Sequence, residues 1–168
     1  MVVAGLATPA LLFLLKMKMD KNTVAYKNLR AFLIAIQYAE GTFGKDGYNK
    51  LYGGNLFQDL SKHPNTPTTK WGITSTAAGA YQILSKTWNE IQPKLGLPDF
   101  SAASQDKAAV ELIRRRKALE DVYAGRFAQA LAKCRKEWAS LPGAGYGQNE
   151  KDPKNLLAVY KVAGGITA

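Results

Sequence analysis

An α+β fold, a mainly helical body with one small β-rich lobe and a cleft between them, is the class this sequence predicts. Three observations carry it. Apolar residues recur at helical spacing over most of the chain. One segment, 43–74, drops that period and fills with Gly, Asn, Asp, Thr, Tyr and Pro. The composition suits one packed domain: 168 residues, 46% hydrophobic and 21% charged, near globular averages and far from disorder. A helical body with a single β-rich insertion is an α+β plan.

The N-terminal residues 1–19 read as an extension, and 20–168 as the domain. Val2 to Leu15 is almost wholly apolar. As a helix it would span roughly 21 Å, short of a ~30 Å hydrocarbon core. It has the length of a signal-peptide core, but no Lys or Arg precedes it, Lys16 and Lys18 follow it, and no A-x-A-like cleavage site comes after. A weak signal anchor touching a membrane through residues 2–15 stays open. So does an upstream extension, since Met17 and Met19 could each start a complete domain.

Five helical segments follow. The first runs from a Thr23 N-cap to Glu40, with Ala25, Leu29, Phe32, Leu33 and Ile36 as its apolar stripe. The second follows Ser75 or Thr76 and carries Leu84, Trp88, Ile91 and Leu95 on one face, with Pro93 near its end. The third runs from about Ser104 to Tyr123 and stops at Gly125. It carries the basic run Arg114 to Lys117, which usually marks a solvated face. The fourth spaces Phe127, Leu131, Cys134, Trp138 and Leu141 helically and stops at Pro142. The fifth begins with Asp152 as N-cap and Pro153 at the first helical position, and ends at Gly164. Segment 43–74, with Asp46-Gly47 and Gly53-Gly54, reads as short antiparallel strands and long loops.

Glu40 is the residue that breaks this pattern. It lies four residues after Ile36 and seven after Leu33, where the core-facing stripe calls for an apolar side chain. Such breaks of local consistency are expected at functional sites. Gly41 can cap the helix in a left-handed conformation, which puts Glu40 at the negative end of the helix dipole. That dipole and partial burial both favour the protonated acid, as a general acid requires. A glutamate that snorkels to solvent is the competing reading.

Other chemistries have little material. Cys134 is the only cysteine and His63 the only histidine. This excludes an intramolecular disulfide and a cysteine-rich metal site. Cys134 falls on an apolar stripe and reads as a small buried side chain. His63 precedes Pro64 in a loop and reads as structural. No metal or cofactor is expected. The net charge of +10 points to a polyanionic partner, either nucleic acid or the anionic bacterial envelope. No recognisable nucleic-acid motif accompanies it.

Three segments could supply binding groups. Glu40-Gly41-Thr42 should lie where the two lobes meet, and clefts between lobes bind ligands. Ser75 to Gln82 combines small residues with Tyr81 and Gln82, groups that suit sugar rings and N-acetyl groups; a capped helix that packs Tyr81 is the plainer reading. Leu141 to Gln148 is glycine-rich but lacks the ending and context of a phosphate loop. It reads as a tight loop presenting Tyr146 and Gln148 to a cleft.

Together these segments resemble the phage lambda lysozyme family. The resemblance runs from about Lys27 to Gly165. It includes Glu40-Gly41-Thr42, then Tyr48, Gly53-Gly54, Leu56-Phe57, Asp59 and His63-Pro64. Ser75 to Gln82, Gly96-Leu97, Asp99-Phe100 and Ser104-Gln105-Asp106 follow in the same order, and the unbroken stretch Trp138 to Gln148 is its most specific part. The match is poor from Asn65 to Ile73. The resemblance implies a lysozyme-like fold, Glu40 as the catalytic acid, and Thr42, Asp59, Ser75, Tyr81, Gln82, Tyr146 and Gln148 as substrate-binding candidates. It implies a monomeric endolysin, held in the host cytoplasm until lysis, that cleaves peptidoglycan glycan strands as a lytic transglycosylase. Membrane tethering through the apolar N-terminus is the alternative location.

The carboxylates bear on that mechanism separately. Ordinary glycosidases need two carboxylates flanking the bond. Another phage lysozyme pattern has Asp nine residues after the catalytic Glu and Thr six later, where this chain has Asn49 and Asn55. Asp46 sits in a turn-prone dipeptide with Gly47, and Asp59 could bind substrate or only orient its loop. A single dominant acid fits a reaction that uses no water. A hydrolytic muramidase on the same fold and a non-catalytic basic module remain the alternatives.

Overall fold

The computed structural model describes residues 20–147 and 149–168. The expectations for residues 1–19 and for Gln148 lie outside them. Among the described residues there are six α-helices and one two-stranded sheet: α1 (Val24–Glu40), β1 (Thr68–Lys70), β2 (Ile73–Ser75), α2 (Ser85–Leu95), α3 (Ala102–Arg115), α4 (Leu119–Tyr123), α5 (Phe127–Cys134) and α6 (Pro153–Val162). The fold is α+β, as the loss of helical period over 43–74 predicted. None of the described helices is long and apolar enough to cross a membrane.

Helix α1 is the central element. The Thr23 side chain accepts from the Tyr26 N–H and caps its start. Gly41, at φ 69°, ends it in the left-handed conformation. Its stripe is buried at Leu29, Phe32, Leu33 and Ile36 and packs mainly on α6 and α4. Phe32 meets Phe127 of α5 edge-on, and Phe127 packs on Tyr160 of α6. Asp152 caps α6 through the Lys154 N–H, with Pro153 in its first turn.

Three helix boundaries depart from the sequence reading. The second helix starts at Ser85, not after Ser75 or Thr76. Residues 76–84 fold instead as an irregular strap, because Gly79 and Gln82 take φ 79° and 46° and Ala78 bridges to Leu51 and Ile83. The third helix divides into α3 and α4 at Lys117, which takes φ 56°. The Lys117 carbonyl freed there accepts from Lys133 Nζ at 3.1 Å. The fourth stops at Cys134. Trp138 and Leu141 are buried as their spacing suggested, but from a run of turns, where Trp138 Nε1 donates to the Tyr81 carbonyl at 3.0 Å.

The β-rich lobe is sparer than expected. Its sheet is a hairpin with Thr68 opposite Ser75 and Lys70 opposite Ile73. The two-residue turn is Trp71-Gly72, at φ 51° and 75°. Positive φ at both positions suits the tight turn that matches strand twist. The rest of the lobe is loop, pinned by isolated bridges such as Lys50 to Leu56.

His63 is structural, as its loop position suggested. Its Nε2–H donates to the Ile83 carbonyl at 2.8 Å, and Nδ1 accepts from the Asn65 N–H at 3.0 Å. Burial holds its pKa below the usual histidine value. Cys134 is fully buried, and burial pushes its thiol up to about 12, far from a nucleophile. The three arginines of the basic run are engaged locally. Arg114 and Arg115 meet buried Glu111, which also pairs with Lys94, and Arg116 meets Glu137.

Candidate active site

Glu40 is the last residue of α1. The Gly41 cap turns the chain sharply, so the carboxyl faces the junction of the two lobes instead of continuing a helix. Thr42 fixes that corner. It is buried, and its hydroxyl donates to the Ala80 carbonyl at 2.5 Å, tying the helix end to the strap. Opposite, Ser140 Oγ donates to Glu40 Oε1 at 2.5 Å. Ser140 is held in turn by its own carbonyl, which accepts from the Lys151 N–H at 2.9 Å.

Loss of water around the Glu40 carboxyl raises its pKa from 4.5 to about 7, against the opposing pull of the Ser140 hydroxyl and the Lys151 charge. Burial wins over both. The carboxyl therefore keeps its proton into the neutral range, where it can be donated.

The cleft beside Glu40 has a volume of about 630 Å³. Gly41 and Thr42 form its floor. Lys50 to Gly54, Lys70, Trp71 and Ile73 line the β-lobe side, and Ser140, Gly147, Asn149 and Lys151 the helical side. Glu40 is the only carboxylate among the described residues that line it. Asn49 spends its side-chain amide on the Phe57 carbonyl at 3.0 Å.

The structure brings together some of the residues chosen from sequence and disperses others. Thr42 and Gln82 line the cleft with Glu40. The Gln82 amide donates to the Gly79 carbonyl at 3.0 Å and the Lys50 carbonyl at 3.3 Å.

Tyr81 is not on the cleft. It is fully buried, and its hydroxyl donates to Asp106 at 2.6 Å and accepts from Gln37 at 3.0 Å. Tyr48 and Arg30 meet the same Asp106. Burial, then the Asp106 charge, pushes the Tyr81 phenol well above its ordinary range. The packing role is the one the structure assigns. Tyr81→Phe is therefore expected to lower stability by about 1–2 kcal/mol and leave KM unchanged. Thermal melts and initial rates on the same sample check this; a raised KM with unchanged stability would contradict it.

Three other candidates also lie away from the cleft lining. Asp59 is exposed and accepts from the Ser61 N–H at 2.8 Å, which orients its own turn. Hydrogen bonds from Ser61 hold its carboxyl below the usual range. Ser75 accepts from the Ala77 N–H at 3.1 Å, shaping the strap. Tyr146 is exposed, donates to the Lys136 carbonyl at 3.1 Å and lies under the Lys136 ammonium.

Sequence reading missed Ser140, Lys151 and Trp71. Ser140 stands inside the stretch Trp138 to Gln148, but nothing local marks its hydroxyl as facing Glu40. Trp71 is 80% exposed at the hairpin tip, in a left-handed conformation that bulky residues rarely adopt. Strained backbone of this kind clusters at functional sites.

Comparison with known proteins bears on the family and the fold. The family model described as Endolysin matches residues 30–167. The chain belongs to the endolysin family. It is 42% identical over 159 residues to the endolysin of Escherichia phage P2, covering 85% of this chain and 96% of that one. It is 43% identical over 143 residues to the endolysin of Escherichia phage lambda, covering 81% and 90% respectively. The solved structure of phage lambda lysozyme in complex with a chitohexasaccharide superposes with a TM-score of 0.81 at 42% identity, covering 84% of this chain and 97% of that one. The fold is thus lysozyme-like, as the sequence resemblance implied.

Proposed function

We propose that the protein is a phage or prophage endolysin that cleaves the MurNAc–GlcNAc β-1,4 bond of peptidoglycan by lytic transglycosylation. The single observation that carries this reading is Glu40 as the only carboxylate among the described residues that line the cleft, held in the protonated range near neutral pH.

Glu40 donates its proton to the glycosidic oxygen as the bond to C1 breaks. The carboxylate that results takes the proton from the C6 hydroxyl of the same muramic acid residue. That oxygen closes on C1 and leaves a 1,6-anhydro product, so Glu40 ends the cycle protonated again. Both reacting groups belong to one bound sugar, and proximity of this kind lowers the barrier by several kcal/mol without an activated water. A hydrolase would need a second group to activate water, and neither Asp46 nor Asp59 lines the cleft.

The rest of the cleft suits a glycan strand. The Trp71 ring at its rim offers an apolar face to a pyranose, its other face being covered by the Lys70 ammonium at 4.5 Å from the ring centroid. Thr42 and Gln82 shape the cleft here, their donors holding the Ala80, Gly79 and Lys50 carbonyls. The likeness to a lysozyme structure complexed with a chitohexasaccharide supports an extended sugar ligand.

Residues 20–168 form the catalytic unit. The protein waits in the host cytoplasm and reaches the wall at lysis.

Muropeptides released from purified sacculi are expected to end in 1,6-anhydromuramic acid, as read by mass spectrometry. Reducing muramic acid ends as the main product would select the hydrolase.

A further inference from the structure

The acid and the floor of the cleft leave its charge unexplained. Lys50, Lys70 and Lys151 all line it, on both walls, against one carboxyl, Glu40. None of the three forms a salt bridge among the described residues, whereas Lys94, Lys133, Arg30, Arg114, Arg115, Arg116 and Arg126 elsewhere on the molecule do. The cleft lysines are instead posed by carbonyls. Lys50 Nζ donates to the Gly41 carbonyl at 3.1 Å, and Lys70 Nζ to the Gly53 carbonyl at 2.7 Å. An ammonium has three donors, so each keeps hydrogen-bonding capacity for a ligand. Lys151 stands near enough to Glu40 to act on its charge.

A neutral chitin-like strand offers such a set hydrogen-bond acceptors but no negative charge. Peptidoglycan offers both. Its muramic acid residues carry peptide stems through the lactyl ether, and those stems bear free carboxylates beside the glycan. Clefts lined by one sign of charge with apolar walls concentrate the field on an opposite charge.

We propose that Lys50, Lys70 and Lys151 form a carboxylate-binding set that takes the free carboxylates of peptide stems, so that the cleft selects stem-bearing glycan over neutral glycan. This rests on glycan cleavage at this cleft and is independent of whether the product is an anhydro or a reducing sugar.

The test compares intact sacculi with sacculi whose carboxylates have been converted to neutral amides by carbodiimide coupling to excess ethanolamine. The wild-type protein is expected to cleave intact sacculi at least about tenfold faster, a difference of about 1.4 kcal/mol. The variant Lys50→Gln/Lys70→Gln/Lys151→Gln should narrow that ratio to below about threefold. The exposed lysines Lys86, Lys107 and Lys161 lie off the cleft. Their triple Gln variant removes the same net charge and should keep the wild-type ratio. Sedimentation of folded Glu40→Gln protein with the two kinds of sacculi reads the same preference without turnover, and covers the case in which the cleft triple variant does not fold.

Equal wild-type rates on both substrates would overturn the lysine assignment alone. So would an unchanged ratio in the cleft variant, or an equal narrowing in the control variant, which would reduce the effect to overall charge. Failure of the wild-type protein to cleave either substrate would overturn the reading of the cleft itself.

Discussion

Glu40→Gln should abolish sacculus lysis, with a loss of about 10³-fold or more in initial rate, because one carboxyl serves as both proton donor and proton acceptor. The amide keeps the shape and can still accept from Ser140, so the fold should survive. Its stability should even rise at high pH. In the unfolded chain Glu40 ionises near 4.5, and in the folded chain near 7. Between these values the folded state holds the extra proton, so native stability falls as pH rises from about 4.5 to about 7 and stays lower above it. Removing the charge should therefore stabilise the protein at pH 8 by about 1–3 kcal/mol, a range reduced to allow for water in the cleft. No gain is expected at pH 4, where both states are protonated. Turbidity loss of sacculi and thermal melts at the two pH values measure both effects. Substantial lysis by a folded Glu40→Gln protein would remove Glu40 from the chemistry.

Gly79→Ala should be strongly destabilising, although it adds a single methyl group. Gly79 takes φ 79°, where an L residue costs about 1–2 kcal/mol. A Cβ there would stand 2.1 Å from Gln105 Oε1 and 2.7 Å from its Cδ. Gln105 is fully buried and cannot swing clear: Oε1 accepts from the Ala80 N–H at 2.9 Å, and Nε2 donates to the Phe100 and Tyr48 carbonyls at 2.8 and 3.0 Å. Displacing it leaves buried polar groups unpaired. The total is about 2–5 kcal/mol, or a fall in Tm of roughly 5–15 °C. Activity should fall with it, since the Ala80 carbonyl that holds Thr42 sits next in the strap. A Tm within about 2 °C of wild type would show that the strap accommodates the methyl.

The parts legible in the sequence are those fixed by local period and capping. The stripe of α1 runs into Glu40 without interruption, so the spacing alone puts a charged side chain on the core face. Thr23, Gly41, Asp152 and Pro153 mark helix ends through chemistry confined to a few neighbouring residues. The break at Lys117 was hidden because it depends on Lys133, which takes the freed carbonyl from another helix. Ser140 was hidden for the same reason, lying 100 residues from the carboxylate it meets. The two readings of Tyr81 could not be separated locally, because its partner, Asp106, comes from α3. A tyrosine among small residues looks the same whether it faces a ligand or a buried carboxylate. Trp71 was missed because Trp-Gly is not a usual tight-turn pair; only its backbone conformation shows the turn.

The most direct test of the central role of Glu40 is to titrate its side-chain carboxyl carbon by ¹³C NMR beside the pH profile of kcat/KM on soluble glycan strands. A carboxyl that titrates near pH 7, with activity falling through the same pH as the proton is lost, is the expected result. A carboxyl that titrates near its ordinary value of 4.5, with activity undiminished well above pH 7, would contradict it.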